Sequence, residues 1–284
     1  MEKIPIRHIT PVQIEPDLLG DFTIRDLRNL LAGKDMLQDL HRHDFFYLLV
    51  VEHGNGTHII DFVPYKIGSR SVFFMRPGQV HQLELKSEST GFLMQFSTAF
   101  YFPQDRASLV LLRRASSSNH NQLEPGSFAK LTSILKTIQQ EFSAKKESFN
   151  VVVKSNMDVL LIELIRSQVV PAENKNLHAQ EKLEKFMELL EANILSHKQV
   201  SEYAEMLNLS AYQLNSILKA ALGKTCSEVI NDQIILEAKR CILATSNQIN
   251  ETAYRLGYED VSYFIRFFKR HTGYSPDTFR QNFR

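Results

Sequence analysis

His41 and His43 stand one residue apart, and His81 follows a Pro77-Gly78 turn signal. Side chains alternate along a strand, so imidazoles at this spacing on strands converge from one face. Their chemistry is metal ligation or hydrogen bonding to a small polar molecule. Asp44, adjacent to His43, points the other way along a strand. Three imidazoles plus water suffice for some cations, yet no fourth protein ligand is visible. We therefore expect no metal and no cofactor, and place an effector pocket at His41, His43, Tyr47 and His81. Phe45, Phe46, Phe73, Phe74 and Phe96 serve equally well as pocket wall or as plain core.

A second constellation lies in the C-terminal half. Leu214, Ile217, Leu218, Lys219, Gly223 and Thr225 recur as Phe264, Phe267, Phe268, Lys269, Gly273 and Ser275 at a constant offset of 50. Upstream, Ala204 and Leu207 match Ala253 and Leu256 at an offset of 49. The extra residue falls in the turn Gly257-Tyr258-Glu259-Asp260. A repeat in which only a turn changes length marks two copies of one supersecondary unit. Each copy is a short helix, a turn and a longer helix, the plan of a helix-turn-helix. Leu214, Ile217, Leu218 and Ala221 face a core, as do Phe264, Phe267 and Phe268. The opposite faces carry Tyr212, Gln213, Asn215, Ser216 and Lys219, then Ser262, Tyr263, Arg266, Lys269 and Arg270, with Lys224 and Thr225 just beyond the first. Amides, hydroxyls and arginine read base edges, and lysine meets phosphates. Asn208 and Gly257 suit a left-handed turn, and Ser210 and Asp260 suit N-caps.

These residues need elements to hold them. Before about residue 127, short runs rich in Val, Ile, Phe and Tyr predict strands at Phe45–Val51, Thr57–Val63, Val72–Met75 and Phe92–Phe96. Residues 116–121 predict an exposed loop. Afterwards the period is helical. Phe128, Leu131, Leu135, Ile138 and Phe142 form an a/d stripe, either packed on the barrel or serving as a dimer seam. A second helix is predicted at Asn150–Gln168. Val169–Leu177 reads as a linker. Helices follow at Gln180–Ile194, Val200–Leu207, Ala211–Leu222, Ser227–Thr245, Ile249–Leu256, Val261–His271 and Pro276–Asn282.

The chain has 284 residues, 43% hydrophobic and 23% charged, which excludes a disordered chain and suggests two domains. Cys226 and Cys241 are too few for a disulfide scaffold. No membrane-length apolar run and no signal-peptide core is seen, so we expect a cytoplasmic protein without membrane contact. The net charge of +1 hides local contrast. Acids concentrate in Glu181–Glu205 and the central helix. Residues 261–284 carry Arg266, Lys269, Arg270, Arg280 and Arg284 against Asp277. Such a distribution predicts binding focused on two narrow helix faces. No catalytic triad, P-loop, dinucleotide fingerprint or zinc-finger spacing is present.

Residues 197–284 resemble the DNA-binding domain of AraC/XylS-type transcription regulators. The motif Gly257-Tyr258-x-Asp260-x-Ser262-Tyr263-Phe264-x-Arg266-x-Phe268-Lys269, followed by Gly273-x-Ser275-Pro276, carries most of this resemblance. The N-terminal histidines resemble those of the cupin barrels that act as sensory domains in such regulators, and that resemblance implies a metal set of His41, His43, His81 and a carboxylate four residues after His43, where this chain has Tyr47. The resemblance implies a multidomain chain: an N-terminal cupin-like β-barrel followed by helices, and a C-terminal all-α domain with two helix-turn-helix units joined by a long helix. We divide it as 1–170 (barrel about 20–115, helices about 128–168), linker 171–178 and DNA-binding domain 179–284. It implies major-groove binding of double-stranded DNA at two sites about one turn (roughly 34 Å) apart, RNA polymerase contact, activation, and a small-molecule effector. Ser216, Leu218, Tyr258, Ile234 and Thr252 depart from the family pattern. Ser216 replaces a usual arginine, so Arg266 and Lys269 should carry more of the backbone attraction. Tyr212, Gln213 and Asn215 would then read bases. Rival readings are a metal-dependent cupin enzyme with an appended helical domain, and a regulator without an effector.

Overall fold

Alternating apolar residues in the N-terminal half build two five-stranded sheets that share one interior. The computed structural model describes residues 5–7, 9, 21–97, 100–101, 106–168, 177–244 and 248–282. It separates into one unit ending at 169 and another beginning at 170. Residues 169–176 of the expected linker, Thr245 and Arg284 lie outside the described residues, and the linker's expected end, Leu177 and His178, is helical.

The strands are β1 (Ile6–Arg7), β2 (Phe22–Asp26), β3 (Met36–His43), β4 (Phe46–His53), β5 (Gly56–Ile60), β6 (Val63–Ile67), β7 (Ser71–Met75), β8 (Val80–Leu85), β9 (Thr90–Phe96) and β10 (His120–Gln122). One sheet runs β1-β3-β8-β5-β6 and the other β10-β7-β4-β9-β2. Helix α1 (Leu27–Leu31) follows β2, with Asp26 as its N-cap. On β4, Tyr47, Leu49 and Val51 enter the barrel interior, while Phe46, Leu48 and Val50 face outward. That outward face is covered by α3 (Pro125–Ala144) and α4 (Phe149–Ser167); α2 (Arg106–Ala115) adds Leu112 to the same core.

Three expectations change here. The predicted strand Thr57–Val63 is a hairpin, because Asp61 and Phe62 take left-handed φ values of 47° and 70°. Such a pair suits the twist of a two-residue hairpin. The Asp61 carboxylate holds the turn, accepting from the Val80 N–H (3.2 Å) and Gln79 Nε2 (2.7 Å). The predicted loop 116–121 ends in β10, which pairs with β7 through His120 and Phe73. The stripe Phe128, Leu131, Leu135 and Ile138 is buried against α4 and the sheet of its own chain. Those side chains are therefore not available as a dimer seam, because their apolar surface is already removed from water.

The second unit is helical: α5 (Leu177–Asn193), α6 (Val200–Met206), α7 (Ala211–Leu222), α8 (Cys226–Ala244), α9 (Ile249–Arg255), α10 (Val261–Thr272) and α11 (Pro276–Asn282). Helix α8 has 19 residues and so runs about 28 Å. It packs against α6 and α7 and against α9, α10 and α11. Ala204 and Ala253, both buried, let the partner helices approach closely. Ile234 is buried in α8 and packs there as an apolar residue.

Candidate nucleic-acid interface and barrel cavity

The turns of both helix-turn-helix units take the conformation their residues suggest. Asn208 has φ 52° and Gly257 φ 74°. A Cβ on residue 257 would overlap the Leu195 carbonyl oxygen and crowd Lys198, so glycine is required there on two counts. Ser210 caps α7: its Oγ accepts from the Gln213 N–H (3.2 Å), while Gln213 Oε1 accepts from the Ser210 N–H (2.9 Å). Asp260 caps α10 by accepting from the Tyr263 N–H (3.0 Å).

With the caps fixed, the helix faces follow. On α7, Leu214 and Leu218 are buried and Ile217 half-buried, whereas Tyr212, Gln213, Ser216 and Lys219 are exposed. Ala221, expected inward, is exposed together with the rest of the final turn. On α10, Phe264, Phe267 and Phe268 are buried, and Ser262, Tyr263, Arg266, Lys269 and Arg270 are exposed. Arg266 lies 3.9 Å from Asp260, with 69% of its side chain exposed, so this contact restrains it weakly. Thus α10 presents three cations and α7 one.

Besides Gln213, whose Oε1 the Ser210 cap takes, three sequence-predicted contacts are otherwise engaged. Asn215 turns toward α8: its Oδ1 accepts from the Cys226 N–H (2.8 Å) and its Nδ2 donates to the Ala211 carbonyl (3.0 Å). It ties two helices together, and its amide is spent at both ends. Thr225 caps α8 through Glu228, its N–H donating to the carboxylate at 2.7 Å. Lys224 pairs with Asp232 at 2.7 Å.

In the barrel, His41, His43 and His81 come together, and His58, which sequence reasoning passed over, joins them. His81 Nε2 lies 2.7 Å from His43 Nε2 and 3.0 Å from His41 Nε2, and His81 Nδ1 lies 2.8 Å from His58 Nε2. His58 reaches the cluster because β5 pairs beside β8, a long-range register its local sequence does not announce. A bulge in β3 between Gln38 and His41 turns both toward the interior. Burial disfavours the charged imidazoles, lowering His41 to about 4 and His43 and His58 to about 3; His81 also falls well below its usual value. The cluster is neutral at pH 7.

The protons can be assigned by elimination. His41 Nδ1 lies 2.6 Å from the Asp39 carbonyl, which only accepts, so His41 Nε2 carries a lone pair. Without a cation, a proton on His81 Nε2 serves the facing nitrogens and His58 donates to His81 Nδ1. The three Nε2 atoms also fit a divalent transition metal as a neutral donor set. His41, His43 and His81 would hold it, and His58 would orient His81 from behind. The carboxylate position is filled by Tyr47, whose hydroxyl is buried and unpartnered among the described residues.

Beside the cluster lies a cavity of about 190 Å³. His43 and Tyr47 line it; His41 and His81 do not. Arg7, Arg25, Gln38 and Gln95 supply its other polar groups.

The AraC-like ligand binding domain family matches residues 35–190, and a helix-turn-helix domain family matches 203–282. The HTH-type transcriptional activator RhaS of Salmonella schwarzengrund is 26% identical over 250 residues, covering 85% of this chain and 87% of the relative. Among solved structures, the C-terminal domain of the response regulator yesN from Fusobacterium nucleatum is 28% identical (TM-score 0.34), covering 35% of this chain and 98% of its own. ToxT from Vibrio cholerae is 16% identical (TM-score 0.44), covering 92% and 98%. Among the described residues no helix is long and apolar enough to cross a membrane. With a ligand-binding-domain match over more than half the chain and two capped helix-turn-helix units behind it, the chain belongs to the AraC family of DNA-binding transcription regulators.

Proposed function

We propose that this regulator is a cytoplasmic activator that places α7 and α10 in successive major grooves on one side of double-stranded DNA. The observation that carries this reading is the pair of polar, cationic helix faces on repeated units, each capped at its N-terminus by a side chain. Tyr212 and Ser216 read bases from α7, joined by the Nε2 of Gln213, whose Oε1 is taken by the Ser210 cap, and Lys219 meets a phosphate. Ser262 and Tyr263 do so from α10, with Arg266, Lys269 and Arg270 on the backbone. Asn215 and Thr225 hold the first unit in shape, and Lys224 contributes less because Asp232 already partners it. Activation requires contact with RNA polymerase. Selection of bound duplexes from a random pool tests the reading: enriched sequences should share two half-sites about 10 base pairs apart. A single half-site, or no enrichment, would refute it.

We further propose that the barrel binds a small-molecule effector and does no chemistry. Among the described residues its cavity lining holds two guanidiniums and no carboxylate, and burial keeps the His43 imidazole neutral at pH 7. The effector acts by favouring one arrangement of the regulator over another, through its differential affinity for the two. The homodimer contact expected through residues 128–142 would have to use side chains of that helix other than its buried stripe.

The convergence of His41, His43 and His81 favours a second reading of the barrel, as a metal-holding domain. Elemental analysis of purified protein decides it: one equivalent of zinc, iron or manganese would support the metal, and a value near zero would exclude it.

A further inference from the structure

Strand β2 reads Phe22-Thr23-Ile24-Arg25-Asp26. Phe22 and Ile24 join the core under the helices, so alternation sends Thr23 and Arg25 to the barrel interior. An arginine on that face is costly unless its charge is met, because a guanidinium cannot shed its proton. Arg25 is half-buried, and among the described residues no carboxylate pairs with it. Arg25 Nε is buried without an acceptor, and no carboxylate lines the cavity it faces. Arg7, exposed on β1, which pairs with β3 at His43, brings a second guanidinium to the open side of the same cavity. Two like charges facing one space repel each other. Gln38 Oε1 and the Tyr47 hydroxyl, both in the lining, are also buried without partners, and Tyr47 is only 1% exposed.

We infer that the cavity takes a small organic acid, its carboxylate held between Arg25 and Arg7 and its hydrogen-bonding groups met by Tyr47 and Gln38. This rests on the reading of the barrel as an effector domain. A planar carboxylate matches the guanidinium fork and neutralises both arginines at once. The volume, about 190 Å³, exceeds the 150 Å³ or so that accommodates benzene and so suits an acid of about four to seven carbons. Leu30, Met36, Phe45 and Leu93 face its carbon skeleton.

The test is thermal unfolding of the full-length protein with succinate, benzoate and D-glucuronate, each against its uncharged amide, at about 10 mM and constant ionic strength. Glucose 6-phosphate distinguishes a phosphate source from a carboxylate. At least one acid should raise the melting temperature by several degrees while its amide and the phosphate do not. Arg25→Met should abolish that shift, and without ligand it should melt no lower than the wild type, because an unmet charge has been removed. Equal stabilisation by acid and amide, unaffected by Arg25→Met, would overturn the acid while leaving the effector cavity standing. A shift with glucose 6-phosphate alone would overturn the carboxylate. No shift with any compound, together with a lower ligand-free melting temperature for Arg25→Met, would make Arg25 structural and overturn the effector reading as well.

Discussion

The unequal charge of the two recognition faces makes a quantitative prediction about salt. Helix α10 exposes Arg266, Lys269 and Arg270, whereas α7 exposes Lys219 alone. Each phosphate neutralised contributes about 0.9 to the slope of log affinity against log salt. Between 50 and 200 mM salt, one contact therefore costs about 3.5-fold in affinity and three contacts about 40-fold. Replacing Arg266, Lys269 and Arg270 together by alanine should flatten the slope by about 2.7, and Lys219→Ala by about 0.9. Asp260 does not remove Arg266 from this count, since the pair is wide and exposed and worth less than about 1 kcal/mol. Fluorescence anisotropy of a labelled selected duplex, titrated across the salt range, gives both slopes directly. If Lys219→Ala flattened the slope as much as the triple substitution, or the triple substitution left it unchanged, the division of labour would be wrong.

Other consequences follow from packing and burial. Asn215→Ala should destabilise the C-terminal unit by about 1–2 kcal/mol in urea unfolding, because the Cys226 N–H loses its acceptor, while the enriched duplex sequence stays the same; a changed base preference would return Asn215 to the reading face. Gly257→Ala, strained by its φ and by overlap with the Leu195 carbonyl, should cost about 2 kcal/mol or more and weaken DNA binding; a wild-type melting curve would contradict the overlap. Leu135→Ala, fully buried in α3, should cost about 2–5 kcal/mol without altering the mass in solution, and a loss of dimer would restore its stripe as a seam. The buried histidines titrate more readily unfolded than folded, so the unfolded chain binds more protons below about pH 6.5. Stability of the barrel should fall as pH drops from 7 toward 4, by on the order of 1 kcal/mol per unit for each histidine; chemical unfolding that is flat across this range would place the imidazoles in water.

Much of the C-terminal unit is legible residue by residue. Helix ends are set by local signals, such as the Ser210–Gln213 capping box and the left-handed Asn208 and Gly257, and a sequence carries those without help from distant partners. The barrel is less legible. Phe22-Thr23-Ile24-Arg25 is a strand by alternation, yet without its neighbour β9 there is no sign that Arg25 faces inward. Had that alternation been weighed against the cost of an interior charge, Arg25 would have stood out beside the histidines. His58 gave no signal at all, because its partner lies 23 residues away across a strand pair.

The sequence by itself determined the repeated helix-turn-helix plan, its caps and its outward faces, since period and capping are properties of contiguous residues. Only the tertiary structure decided what the exposed-looking and apolar residues were for. It turned Asn215 inward to hold α8, folded the α3 stripe onto its own sheet, and gathered four imidazoles and two arginines from separated strands. The reason is physical: a side chain's chemistry is fixed by its type, but its cost and its use are fixed by the neighbours that fold brings within a few ångströms.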